Sequence, residues 1–305
     1  MNRRAFLATA ASMALAAPAR AESRSAAPPA DLGVQLWMVR QSMARDFEAT
    51  LSALAALGVR RVELAGAPQR SAAELRAAID AAGLACVSGH LPLLQMTDAE
   101  VDRQFDFARM LGMKTVVAPT PGRADLLDLA PEARLAALIA RPLRADDWRW
   151  NADRLNALGE RARAVGLAVG YHNHNVEFAP QEGGENGMGL LLSRVDPAQA
   201  HFQIDVGNAV LGGADPVALL LRWPDRFRSA HLKDWRAPLT PTTGLASPPS
   251  APFGEGVIDW ARWRAASARA GLETSFIERE NLPVEDEVAG AAQALTYFAE
   301  LQRSA

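Results

Sequence analysis

Five side chains of metal-ligand type stand at the ends of four apolar segments in the second half of the chain. They are His172 and His174 in AVGYHNHNVEF, Asp205 in HFQIDVGN, His231 in RSAHLKDW and Glu278 in TSFIERE. Imidazole nitrogen and carboxylate oxygen together suit a borderline or hard divalent ion such as Mn, Co, Zn, Mg or Fe. Each residue alone has a plainer role open to it. Asp205 could cap a turn, His231 could be a hydrogen-bonded core residue, and Glu278 could pair with Arg279. Unrelated plain roles would not be expected to place acids and histidines at consecutive segment ends, so the pattern is read as one ion site.

His172 and His174 lie two residues apart and so share one face of a strand. One or both can face a site. His172 comes earlier and is the preferred ligand, which leaves His174 to orient substrate or to serve as acid or base. Glu177 follows three residues after His174 and could reach back to the site as a base. Lys233, two residues past His231, could bind a substrate oxygen or stabilise a developing oxyanion. His90 in SGHLPL and Glu63 in RRVELAG are further candidates for substrate contact. Trp37, Trp148 and Trp235 fall near expected loops, where an aromatic face could stack on a sugar's C–H face or pack the loop itself.

Bringing these residues together takes a particular repeat. A helix-like stretch ends in Gly and an apolar strand starts one residue later, at Leu57-Gly58-Val59, Ala82-Gly83-Leu84, Leu111-Gly112-Met113, Val165-Gly166-Leu167 and Ala270-Gly271-Leu272. Gly there can take the left-handed conformation that closes a helix. The strands run apolar on both faces, as parallel strands between an interior and a helical shell should. The predicted strands cover 33–38, 60–65, 84–89, 114–119, 167–173, 201–206, 227–232 and 273–278, and the helices include 71–82, 99–111, 151–165 and 259–270. An open doubly wound sheet usually carries a Gly-rich phosphate loop after its first strand; none follows GVQLWMVR. The expected fold is therefore a single α/β (β/α)8 TIM barrel, which gathers the C-terminal ends of its strands at one mouth. Three long connections, 120–147, 175–188 and 234–257, would surround that mouth.

The N-terminus reads as an export signal. Asn2-Arg3-Arg4-Ala5-Phe6-Leu7 resembles a twin-arginine motif, Ala8 to Ala17 is an apolar run too short to span a bilayer, and Ala19-Arg20-Ala21 is a small-x-small cleavage site,. The expected organisation is a twin-arginine signal peptide at 1–21, a linker at 22–32 and the barrel domain at 33–303, giving a periplasmic protein with no membrane contact after cleavage. The whole chain carries −3; its first 21 residues hold three arginines and no acid, so the remainder carries −6. That acidity disfavours a nucleic-acid partner. Cys86 is the only cysteine, so no internal disulfide can form, and in AGLACVSGH it reads as inert core,.

The segments GVQLW, VELAG, GYHNHNVEF, QIDVGNAVLGGADPV, HLKD, FGEGVIDW and FIERE, in this order, resemble the xylose isomerase-like TIM barrel superfamily in its sugar phosphate isomerase/epimerase branch. The resemblance implies one divalent ion (Mn, Co, Zn or Mg), a polyol or keto-sugar substrate, and metal ligands at the His172/His174 position, Asp205, His231 and Glu278. Ketose epimerases of the branch carry a glutamate on strand five that pairs with the strand-eight glutamate; here strand five offers His-Asn-His. The expected activity is a divalent-metal-dependent sugar isomerase or epimerase working through an enediolate, with Glu278, Glu177 or a histidine as base. The alternatives are a periplasmic lyase or dehydratase that expels the β-substituent of a 3-keto-glycoside, and a non-catalytic sugar-binding barrel. Apurinic endonucleases of the same superfamily use three zinc ions and need more ligands than five histidines on an acidic chain provide. The long loops at the barrel end could also support a homo-oligomer.

Overall fold

The computed structural model describes residues 32–66, 70–245 and 247–304. The residues read as a signal peptide, and all but the last of those read as a linker, lie outside the described residues. The helix Asp98–Leu111 shows how the repeat folds. Thr97 and Glu100 form a reciprocal capping box at its start, Val101, Phe105, Ala108 and Leu111 are buried at helical spacing, and Gly112 closes it with φ 80°,. The five junction glycines named above all have φ between 70° and 90°.

The eight strands are β1 (Leu32–Gln35), β2 (Arg61–Ala65), β3 (Ala85–His90), β4 (Thr115–Ala118), β5 (Ala168–His172), β6 (Ala200–Asp205), β7 (Phe227–Leu232) and β8 (Thr274–Ile277). Each pairs in parallel with the next, and β8 returns to β1, closing the barrel. β1 and β6 are buried at every residue, as strands covered on both faces must be,. Gly33 in β1 has no side chain because a Cβ there would meet the Phe276 ring and the Arg61 carbonyl, each at 2.8 Å. Register sets the height of the candidate ligands. Asp205 pairs with His231, His172 pairs with Gln203, and Ile277, the residue before Glu278, pairs with Leu232.

Two departures from the predicted elements have clear causes. The first strand stops at Gln35 rather than 38, because Leu36–Val39 turns into a 3-10 helix capped by the Gln35 side chain. The connection 120–147 is not a plain loop. It holds the helix Pro131–Ile139 and the start of the helix Ala145–Ala164. Pro131 at the first turn has no amide to leave unpaired. The apolar stripe of that short helix is interrupted by Arg134, which is buried and bonded to the Leu129 and Gln95 carbonyls and to Glu100. The 234–257 connection is tied at both ends by Asp234, whose carboxylate accepts from Val257 N at 3.0 Å and Trp260 Nε1 at 2.8 Å. Cys86 is buried in β3 and its thiol is pushed up to about 12, by burial and then by Glu63, which fits an inert core residue,. Among the described residues no helix is long and apolar enough to cross a membrane.

Candidate functional site

The upper interior of the barrel is filled by a polar network centred on Glu63 of β2. Its carboxylate accepts from Gln35 Nε2 (2.8 Å), from Gln203 Nε2 (2.9 Å), from Ser88 Oγ and from His231 Nε2, and it is fully buried. Burial opposes its charge, yet His90 and His231 hold it well below the usual carboxylate range,. His231 answers in kind. Burial opposes its protonation, but Glu63 and Glu278 raise its imidazole to about 10. The network also fixes the tautomer of His172. The Gln203 amide nitrogen points at Glu63, so its oxygen faces outward and accepts from His172 Nδ1 at 2.9 Å and from His90 Nε2 at 2.8 Å,. The Nε2 lone pair of His172 is left facing Asp205 Oδ2 at 3.7 Å.

Asp205, His231 and Glu278 bring one donor atom each within 4.8 Å of one another, all of them buried. His172 Nε2 joins the same space through Asp205. Two imidazoles and two carboxylates at this spacing form a donor set that fits a divalent ion of the borderline class. The surroundings support it: His231 has Nδ1 toward Glu278 (3.0 Å) and Nε2 on Glu63, the arrangement in which a buried carboxylate orients a ligating histidine,. Asp205 is oriented by Asn208 through both oxygens, at 2.7 and 2.9 Å, and its backbone N–H donates to Asn173, the middle residue of His-Asn-His. The carboxylates attract cations already: Lys233 Nζ lies 3.2 Å from Asp205, 3.1 Å from Glu278 and 2.6 Å from Glu280. His90, His172 and His231 form a second group with nitrogens within 4.8 Å, but His90 and His172 both turn a nitrogen onto Gln203.

A cleft of about 860 Å³ opens beside this cluster, and His174, Asn208, Trp235 and Glu280 line it. Trp148 lines it too. Leu138 and the exposed side chains of Leu135 (58%), Ile139 (55%) and Leu245 (80%) complete an apolar wall.

Several expected roles change with the geometry. Glu63 cannot touch substrate, because it is buried with its oxygens occupied; it positions His231. His90 sits under the cluster, stacked on His231 with ring centroids 4.9 Å apart, rather than along the cleft. Trp37 lies in the 3-10 helix Leu36–Val39, is 47% exposed under the Arg40 guanidinium and is not among the cleft-lining residues. Glu177 does reach back, but it is fully buried. It accepts from Tyr171 Oη at 2.6 Å and from His174 N at 2.9 Å, so it holds the His174 segment instead of facing the cleft. Lys233 has its ammonium on three carboxylates and does not line the cleft. His174 lines the cleft. Sequence reasoning passed over Gln203, Asn173 and Glu280. Gln203 and Glu280 each lie two residues from a named acid, so strand periodicity alone placed them on the same face.

A family described as xylose isomerase-like TIM barrel matches residues 51–301. An inosose dehydratase of Lacticaseibacillus casei is 32% identical over 143 residues, which is 46% of this chain and 45% of that protein; the chain thus spans under half the length of this relative. A sugar phosphate isomerase/epimerase from Parabacteroides distasonis superposes with TM-score 0.68 at 22% identity, covering 92% of this chain and 96% of that one. The IOLI protein, solved with a bound zinc atom, superposes with TM-score 0.67 at 13% identity over 88% and 98% of the two chains. The eight-stranded closed barrel, the ligand-type residues at its mouth and the match over most of its length agree: this chain belongs to the xylose isomerase-like TIM barrel family.

Proposed function

We propose that the protein is a metal-dependent lyase or dehydratase that removes the proton beside the ketone of a keto-glycoside and expels the β-substituent. The observation that carries the reading is the apolar wall of the cleft. A free polyol would leave Leu135, Ile139 and Leu245 against water, whereas an apolar aglycone covers them,. Relatives named as dehydratases support the elimination, since loss of water is the same step with hydroxide as the leaving group. Isomerisation or epimerisation, the first expectation from the sequence, shares the proton abstraction and differs in returning the proton to carbon. Export, which the N-terminal residues suggest, would place the enzyme where glycosides arrive.

A divalent ion held by His172, Asp205, His231 and Glu278 would supply Lewis-acid polarisation of the substrate ketone. His174 opens onto the cleft and takes the proton. Burial and then Lys233 lower its imidazole to about 4, so at neutral pH it is the accepting form,. The C–H electron pair becomes the C=C bond of an enolate. Collapse of the enolate restores the ketone, forms the new C=C bond and expels the β-oxygen with its electron pair, and that oxygen takes up a proton. Glu177 keeps His174 in place through the His174 N–H. The test is p-nitrophenyl 3-keto-β-glucoside in D2O with Mn-, Co- or Zn-loaded protein. Release of p-nitrophenol is expected. Deuterium entering beside the ketone with no phenol release would give the isomerase or epimerase reading instead, and neither event above the protein-free rate would leave a sugar-binding barrel.

A further inference from the structure

Beyond β8 the side chains alternate. Glu278 and Glu280 turn to the ligand cluster and Lys233, while Arg279 and Asn281 line a second cavity of about 620 Å³,. Arg236, Ser250, Asp286 and Gln293 complete the part of its lining that matters here. Arg279 is only 8% exposed and its Nε has no hydrogen-bond partner. A buried guanidinium without a direct acceptor is costly and calls for one. Gln293 shows the complementary lack. Its amide nitrogen donates to the Phe253 carbonyl at 3.4 Å, and its Oε1 is buried without a donor. Gly290 borders the guanidinium: a Cβ there would meet Leu282 Cδ1 at 2.7 Å and lie 3.4 Å from Arg279 Nη1. Two arginines against Asp286 leave one positive charge in the lining, which matches a monoanion better than a dianion.

We propose that this cavity binds a hydroxylated monocarboxylate of the sugar-acid class, with its carboxylate on Arg279 and Arg236 and a hydroxyl donating to Gln293 Oε1. A carboxylate fits the planar fork of a guanidinium through two parallel hydrogen bonds. The hydroxyl requirement separates this ligand from a simple anion. The cavity shares Ser247 with the cleft but holds none of the residues assigned to the metal, so gluconate binding to metal-stripped protein tests it independently of the keto-glycoside reading.

The test is calorimetric titration of the full chain with sodium D-gluconate, after the protein has been stripped of metal with a chelator and dialysed, so that the metal centre does not capture the carboxylate. Gluconate is expected to bind the parent protein, at least tenfold more tightly than sorbitol or inorganic phosphate. Arg279→Gln and Arg236→Gln should each weaken gluconate binding at least tenfold. Arg236 is exposed, so that variant keeps the test decisive even where Arg279→Gln fails to fold. No gluconate binding by the parent, equal binding of sorbitol, or unchanged binding in Arg236→Gln would each overturn the proposal.

Discussion

The two sides of the barrel mouth are built on opposite terms. At the strand ends nearly every polar atom has a partner: Glu63 is met by two glutamines, a serine and a histidine, and Asp205 by both donors of Asn208. The cleft wall is an inserted helix, Pro131–Ile139, that turns leucine and isoleucine outward. Groups that must meet a reacting atom within a fraction of an ångström are held by strands and a closed network, while the surface that selects the substrate is carried by connections. Two buried glutamates repeat the contrast. Glu63 faces imidazoles and stays ionised. Glu177 faces only the neutral donors of Tyr171 and His174, which do not outweigh its burial, and its carboxyl rises to about 7,.

The largest effect should come from breaking the strand-end side at its centre. Asp205→Ala removes a candidate ligand and an acceptor for Lys233 and Asn208. Mass spectrometry of the purified protein should find about one divalent ion per chain in the parent and none in the variant, with turnover reduced to background. A variant that keeps its ion and its activity would remove Asp205 from the site. Glu63→Gln is milder and more telling. It keeps the shape of the hub but takes away the charge on His231 Nε2, so metal affinity should fall about 10–100-fold, with turnover recovering at saturating metal. A loss of turnover that metal does not restore would mean that Glu63 does more than orient His231.

The strand-end side was readable from the chain because its signals are local. A helix closing on Gly, an apolar run and a charged residue at its end recur at fixed spacing, and a barrel converts sequence order into nearness at one mouth. That spacing singles out Asp205, His231 and Glu278 as candidates, but it leaves His172 and His174 open, since both share one strand face. Access was not legible. Glu177 and Glu63 are acids in good positions along the chain, but burial and the direction of their partners decide that neither reaches the cleft. The wall was hidden for another reason: Arg134 breaks the apolar pattern of its helix, and only a long-range partner, Glu100, explains an arginine facing inward.

That partner gives the smallest and most selective way to separate the two sides. Glu100 accepts from Arg134 Nη1 at 2.7 Å while also capping the helix Asp98–Leu111 through Thr97 N at 2.7 Å. The Arg134 hydrogen bond, working against burial and with Thr97, lowers its carboxyl to about 2 from an ordinary 4.5. A folded-state pKa below the unfolded one stabilises the protein above the unfolded value, and that contribution disappears as pH falls toward the folded value. Glu100→Gln retains the cap and loses the charge, so it should cost about 1–2 kcal/mol at neutral pH. The gap between parent and variant in thermal unfolding should be constant above about pH 5 and shrink toward zero as pH falls to about 2. Because Arg134 anchors the wall and not the ligand cluster, the variant should raise KM for a substrate with an apolar aglycone while kcat and metal content hold. A pH-independent gap would mean that Glu100 acts through the helix cap alone. A fall in metal content would mean that the wall and the strand ends are one cooperative unit.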